Sequence, residues 1–118
     1  MLYIALAVSV LGLLILAFAS EVLEPPYSRI SDLGSGSVGK QVHVRGNVLD
    51  VVNFKGGSAL LIVGDPSGNI SVYLEYSIAQ ARQDVLKAEV VDVIGEVDEY
   101  QSTLEIKPGN PNSIKIVK

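Results

Sequence analysis

The first 20 residues carry no charged side chain, and all nine basic and 13 acidic residues of the 118-residue chain lie at or after Glu21. With Val22 and Leu23, the stretch of low polarity reaches 23 residues. A helix of about 20 residues spans the hydrocarbon core of a bilayer, because each residue adds about 1.5 Å. We therefore predict that residues 1–23 form a transmembrane anchor, which would make the chain a single-pass membrane protein.

Two other interpretations of this segment stay open. Ala17-Phe18-Ala19 fits the cleavage site of a signal peptide, although no Lys or Arg precedes the run and the run exceeds the usual length of about 7–15 residues. A buried helix would be apolar on all sides and would need a matching core. Arg29 and Lys40 follow the segment, and no Lys or Arg precedes it. The positive-inside rule therefore favours a cytoplasmic location for the rest of the chain, by an excess of only one or two basic residues. The side of the membrane on which the body lies is therefore left open.

The charged part of the chain divides into a tether, residues 24–39, and a folded domain, residues 40–118. Pro25 and Pro26 end any preceding helix, because proline lacks the amide hydrogen and disfavours helical geometry in the residue before it. The Gly-Ser-Gly-Ser run at residues 34–37 is typical of a flexible linker.

Alternating apolar residues predict strands in the domain, as in Val42, Val44, Gly46 and Val48, which would leave His43 at the surface. Gly46 indicates a bulge or a sharp bend, and Ser77–Gln80 matches a capping box. The predicted elements are strands near 42–49, 59–63, 70–75, 90–97 and 104–106, the last extended by 114–117, with a helix from 77 to about 87. Five strands with a helix between the third and fourth predict an all-β, five-stranded OB-fold barrel. The short turn at residues 55–58 leaves no room for the first helix of a ferredoxin-like fold.

Three sequence motifs resemble those of OB-fold nucleic-acid-binding domains of the tRNA-anticodon/helicase type. They are the opening strand at 38–48, the Asp-Pro-Ser-Gly hairpin at 65–72, and the closing pair at 93–97 and 104–106. The resemblance covers residues 30–117. With the apolar N-terminus, the chain resembles membrane-anchored OB-fold proteins of archaea. The resemblance implies that the domain binds nucleic acid.

The residue inventory leaves little for catalysis. The chain has no cysteine and one histidine, so disulfides, thiolate metal sites, thiol nucleophiles and His-based zinc sites are excluded. His43 has no acidic residue two positions away on the same strand face, and no phosphate-binding glycine motif occurs. We expect a protein that is not an enzyme and that holds no metal or cofactor.

Six side chains are candidates for contacting single-stranded DNA or RNA, because OB domains stack bases on aromatic rings and hold the backbone with cations. They are Arg45, Phe54, Lys55, Tyr73, Tyr100 and Lys107. Adjacent first, second and third strands would place Arg45 and Tyr73 on one face. The net charge of −4 opposes binding to phosphates, so weak affinity is expected. The alternative is an extracytoplasmic or membrane-complex accessory domain whose cleft binds a protein, such as a membrane protein, or a peptide or small ligand.

Overall fold

The computed structural model describes residues 24–118, so the predicted anchor, residues 1–23, lies outside the described residues. Residues 24–118 contain no helix that is long and apolar enough to cross a membrane. The elements are β1 (Gln41–Asn53), β2 (Ala59–Asp65), β3 (Gly68–Leu74), α1 (Tyr76–Ala81), β4 (Val90–Tyr100), β5 (Thr103–Lys107) and β6 (Ile114–Ile116). Short 3₁₀ turns lie at Ile30–Asp32, Ser35–Ser37, Val85–Lys87 and Pro111–Ser113.

The strands pair in the order β1-β2-β3-β5-β4-β6, and β1 also pairs with β4. Five strands therefore form a closed ring of pairs, antiparallel except for the short parallel contact between β3 and β5. β5 pairs with residues 96–100 of β4, and β6 pairs with residues 91–93 along the same edge of β4. β6 therefore continues β5 after the loop at 108–113. This mostly-β arrangement, with one short helix between β3 and β4, confirms the predicted OB-like fold.

The core consists of the inward-facing residues of the strands, in the period-2 pattern that the sequence predicted. The strand residues with the least exposure are Val44, Leu61, Val63, Val72, Leu74, Val91, Val93 and Ile106. Ile78 of α1 and Val85 of the following turn are also buried, so the helical segment packs on the same core. Burying a side chain of this size contributes about 1.5–3 kcal/mol, so this core is the main source of stability.

Gly46 allows a close approach of two strands, and the predicted bulge at this residue is wrong. The register irregularity between β1 and β2 lies between Val48 and Asp50. A Cβ on Gly46 would lie 2.5 Å from the carbonyl oxygen of Gly64. Gly95 plays the same part on β4, where a Cβ would lie 2.7 Å from the carbonyl oxygen of Lys107.

The helix α1 is shorter than predicted and has no capping box. Glu75 is the N-cap residue and makes no side-chain cap bond, while the Ser77 hydroxyl donates to the Glu75 carboxylate at 2.9 Å. The helix ends at Ala81 because Arg82 leaves helical geometry and donates to the carbonyl oxygens of Pro111 and Ile114 at 2.7 and 2.6 Å. Long-range contacts of Arg82 thus override the local helix signal.

The segment predicted as a tether packs against the sheet. Ile30 is 5% exposed, and its amide donates to the Asp65 carboxylate at 2.9 Å. Tyr27 forms an isolated parallel β-bridge with His43 of β1. The Ser28 amide donates a hydrogen bond to the carbonyl oxygen of His43 at 2.8 Å. We call residues 24–33 the strap. Because the strap covers it, His43 is 5% exposed, and its predicted surface position is wrong.

Candidate nucleic-acid interface

An open cleft of about 690 Å³ lies on the outer face of β2, β3 and β5, between two hairpin loops. The β1–β2 loop contributes Phe54 and Ser58, and the β4–β5 hairpin contributes Tyr100 and Gln101. The floor consists of strand residues, namely Leu60, Ser71, Tyr73, Thr103, Glu105 and Lys107. We call this the aromatic cleft.

Strand alternation explains why these side chains share one face. Leu60 is the antiparallel partner of Tyr73, and Ser71 is the parallel partner of Glu105. Thr103, Glu105 and Lys107 are separated by single residues, so they point to the same side of β5. Their neighbours in sequence, including the fully buried Ile106, face the core.

Three aromatic rings from separate parts of the chain surround the cleft. Phe54 is 44% exposed and Tyr100 is 61% exposed, while Tyr73 is half-buried on the floor. Two backbone hydrogen bonds between Phe54 and the turn at 57–58, each 3.0 Å long, fix the loop that carries Phe54. A folded protein gains little from rings left this exposed, so their convergence favours a binding role.

The charges in the cleft nearly balance. Lys107 Nζ lies 6.0 Å from the centroid of the Tyr73 ring and 2.8 Å from an Asp98 carboxylate oxygen. The hydrogen bond from Lys107 lowers the pKa of Asp98 and raises the pKa of Lys107. Because Asp98 takes up much of the Lys107 charge and Glu105 adds a carboxylate, the cleft presents rings and hydroxyls rather than a strong positive field.

The hairpin that carries Tyr100 is strained. Gln101 and Ser102 have φ of 51° and 63°, the left-handed region that side chains other than glycine rarely occupy. In residues 24–118 no other residue except glycine has a positive φ. Tyr100 pairs with Thr103 across this turn, so the strained residues set the position of Tyr100 at the cleft rim.

The structure brings four of the six predicted residues together: Phe54, Tyr73, Tyr100 and Lys107 line the aromatic cleft. Lys55 follows Phe54 and is exposed on the same loop, outside the lining. Arg45 does not line this cleft, because its side chain pairs with Asp92 where β1 meets β4. The six predicted contact residues do not include Ser71, Thr103 and Glu105, the polar residues of the floor, although period-2 alternation on β3 and β5 places them on this face.

Arg45 belongs to a cluster between β1, β4 and the strap. Its guanidinium donates to both carboxylate oxygens of the buried Asp92, at 2.6 and 3.0 Å, and to the Tyr27 hydroxyl at 3.0 Å. The Tyr27 hydroxyl donates to Asp92 at 2.8 Å, and its ring stacks on His43 with centroids 3.9 Å apart. The hydrogen bond from Arg45, followed by that from Tyr27, lowers the pKa of Asp92. This cluster ties the strap to the sheet.

A metal centre has no support in the described part of the chain. Residues 24–118 contain no group of three His, Asp or Glu side chains placed to hold a metal ion. The cleft itself offers a single carboxylate, Glu105. The rings and hydroxyls of the lining can stack on and hydrogen-bond to a bound molecule.

Several solved structures share this fold, although the sequence matches no protein-family profile and no curated protein. OBody AM1L10, solved bound to hen egg-white lysozyme, is 25% identical, with a TM-score of 0.66 over 81% of this chain and 96% of its own. Aspartyl tRNA synthetase from Entamoeba histolytica is 19% identical, with a TM-score of 0.66 over 80% of this chain and 22% of its own. Asparaginyl-tRNA synthetase from Pyrococcus horikoshii is 16% identical, with a TM-score of 0.67 over 80% and 24%. The chain thus has the OB-like fold and corresponds to under a quarter of each synthetase.

Proposed function

We propose that this chain is a non-catalytic OB module that binds single-stranded nucleic acid in the aromatic cleft. In this proposal β1–β5 act as the five-stranded OB barrel, with β6 as an added edge strand. The observation that carries the proposal is the convergence of Phe54, Tyr73 and Tyr100 around one open cleft. Each base stacked on such a ring is worth about 1–3 kcal/mol.

The structural neighbours support the same function. Two of them are synthetases named for tRNA, and their chains contain this fold. OB domains bind oligonucleotides on the face of their second and third strands, between the β1–β2 and β4–β5 loops. The aromatic cleft lies between those two loops here.

The charges of the cleft predict that the affinity for a single strand depends only weakly on salt concentration. Lys107 is shared with Asp98, and Lys55 lies at the rim, so a bound strand gains about one or two cationic contacts. The logarithm of the affinity for a single strand changes by about −0.7 per phosphate contact for each unit in the logarithm of salt concentration. We expect a slope of about −1, which leaves base stacking as the main source of affinity.

The membrane anchor is a further part of the proposal. Residues 1–23 are uncharged apart from Glu21 and long enough to span a bilayer. A single-pass anchor would hold the OB module at the membrane, and binding of nucleic acid requires that the module lie in the cytoplasm. A reporter fused to the C-terminus would determine its side of the membrane.

Fluorescence anisotropy with labelled dT and rU oligonucleotides tests the proposal, using the full chain in mild detergent. Tyr100→Ala removes a cleft ring that is 61% exposed, and Ile116→Ala truncates an apolar side chain that is 42% exposed on β6, outside the lining. We expect micromolar binding, weakened about fivefold or more by Tyr100→Ala and unchanged by Ile116→Ala. Equal effects of the two substitutions, or no binding at low salt, would contradict the proposal.

A second candidate function is binding of a protein or peptide in the same cleft. The carboxylate of Glu105 favours it, because it repels phosphates and attracts basic side chains. OBody AM1L10, which shares the fold, was solved in complex with a protein. A Glu105→Gln variant distinguishes the two functions, since it should strengthen nucleic-acid binding and weaken binding of a basic peptide.

A further inference from the structure

A second pocket of about 360 Å³ lies beside the aromatic cleft, between the strap and the β4–β5 hairpin. Ile30 and Leu33 of the strap form one wall, and Ile62 and Leu104 line the sheet side. We call this the strap pocket. Aliphatic side chains face each other across it, and the uncharged polar residues Asn69, Ser71, Ser102 and Thr103 complete its lining. No charged side chain lines it within residues 24–118.

The strap pocket and the aromatic cleft share two lining residues, Ser71 on β3 and Thr103 on β5. Ser71 pairs with Ile62 across the sheet, two residues along from the pair of Tyr73 with Leu60. Residues spaced by two share a face of the sheet, so one outer surface runs from Tyr73 past Ser71 to the strap. The two depressions are therefore parts of a single groove.

We propose that a single strand held in the aromatic cleft continues past Ser71 and Thr103 and places its next base in the strap pocket. This inference rests on the proposed function of the aromatic cleft. A nucleobase has flat, weakly polar faces, and the strap pocket offers aliphatic walls on two sides. Its sugar–phosphate would stay outside, because a pocket without a cation gives a phosphate no compensation for lost hydration.

The strap thereby becomes part of the binding site. Its position depends on the bond from the Ile30 amide to Asp65 and on the contact of Tyr27 with Asp92, and neither pair lines the aromatic cleft. The strap directly follows residues 1–23, the proposed anchor. The end of the groove at the strap is therefore the end that is nearest to the anchor in the sequence. Longer strands should therefore sense the strap, whereas short ones should not.

The test compares labelled dT4 and dT8 on the full chain in mild detergent. In the parent protein dT8 should bind about five times more tightly than dT4 or better, which is the lower end of one stacked base. Two analogues of dT8 keep all phosphates but lack two terminal bases, one analogue at the 5′ end and the other at the 3′ end. One of these two analogues should lose the gain. Leu33→Asp should abolish the gain while the affinity for dT4 stays unchanged, which also shows that the variant is folded.

The possible failures are distinguishable. The inference would be overturned if the gain survives removal of the bases from each of the two ends in turn, or if it survives in Leu33→Asp. The aromatic cleft would then be the whole site. Absence of binding by either oligonucleotide would overturn the proposed function and this inference together. If Leu33→Asp loses dT4 binding as well, photo-crosslinking of iodouridine-substituted dT8 to the parent chain decides. Crosslinks to residues 30–33 support the inference, and crosslinks confined to the aromatic cleft overturn it.

Discussion

Replacing Gly46 with alanine tests the close approach of β1 to β2, the strand that contributes Leu60 to the floor of the cleft. In the structure a Cβ at residue 46 would lie 2.5 Å from the carbonyl oxygen of Gly64 and 2.8 Å from Val63 Cγ1. The first distance is about 0.9 Å shorter than the 3.4 Å at which ordinary contact begins. The oxygen belongs to the backbone of β2, so relief requires movement of the strand and not a change of side-chain rotamer.

Overpacking of this kind costs about 1–3 kcal/mol, and two simultaneous clashes place Gly46→Ala at the upper end, near 3 kcal/mol. A change of 1 kcal/mol shifts the melting temperature of a domain of about 60–100 residues by roughly 4–8 °C. We therefore expect a decrease of about 12 °C or more, measured by circular dichroism during heating and confirmed by urea titration.

Gly109→Ala is the matched control, because no atom lies within 4 Å of its added Cβ and its φ is not positive. It should leave stability unchanged or raise it by about 0.4–1 kcal/mol, since alanine restricts the unfolded chain. Equal melting temperatures for Gly46→Ala and Gly109→Ala would show that β1 and β2 do not approach as closely as described.

Two further predictions concern the hairpin and acid stability. Gln101→Asn with Ser102→Gly should raise stability by about 1 kcal/mol in thermal unfolding, because Asn-Gly suits the positive φ of both positions; an unchanged melting temperature would contradict the strained turn. The hydrogen bond from Arg45 lowers the pKa of Asp92, so the stability that this carboxylate provides is present above its unfolded pKa of about 3.9 and is lost as the pH falls through its lower folded pKa. The melting temperature should therefore decrease when the pH is lowered below about 4. A decrease of the same size in Asp92→Asn would refute this assignment.

Local patterns predicted the strands and most of the cleft. Period-2 alternation predicted the strands, and Phe54, Tyr73 and Tyr100 were among the six candidate contact residues. The position of Arg45 could not be predicted in this way, because its partner Asp92 is 47 residues away and faces it only through the pairing of β1 with β4.

The strap was missed for a similar physical reason. Its two prolines and two serines, followed by the Gly-Ser-Gly-Ser run at residues 34–37, are typical of a free linker. A set of long-range contacts holds it against the sheet. Asp65 accepts the Ile30 amide from 35 residues away, and the ring of Tyr27 covers His43. The strap pocket depends on these contacts, so no local pattern indicated it.

The most direct test of the central claim is a titration of the isotope-labelled full chain with dT8 in detergent micelles, followed by amide chemical shifts. We predict that the largest changes fall on the aromatic cleft, at residues 54–58, 71–73 and 100–107. The cluster of Arg45, Asp92 and Tyr27 lies outside the cleft and serves as the internal reference. Changes concentrated on that cluster, or no changes at millimolar dT8, would contradict the account.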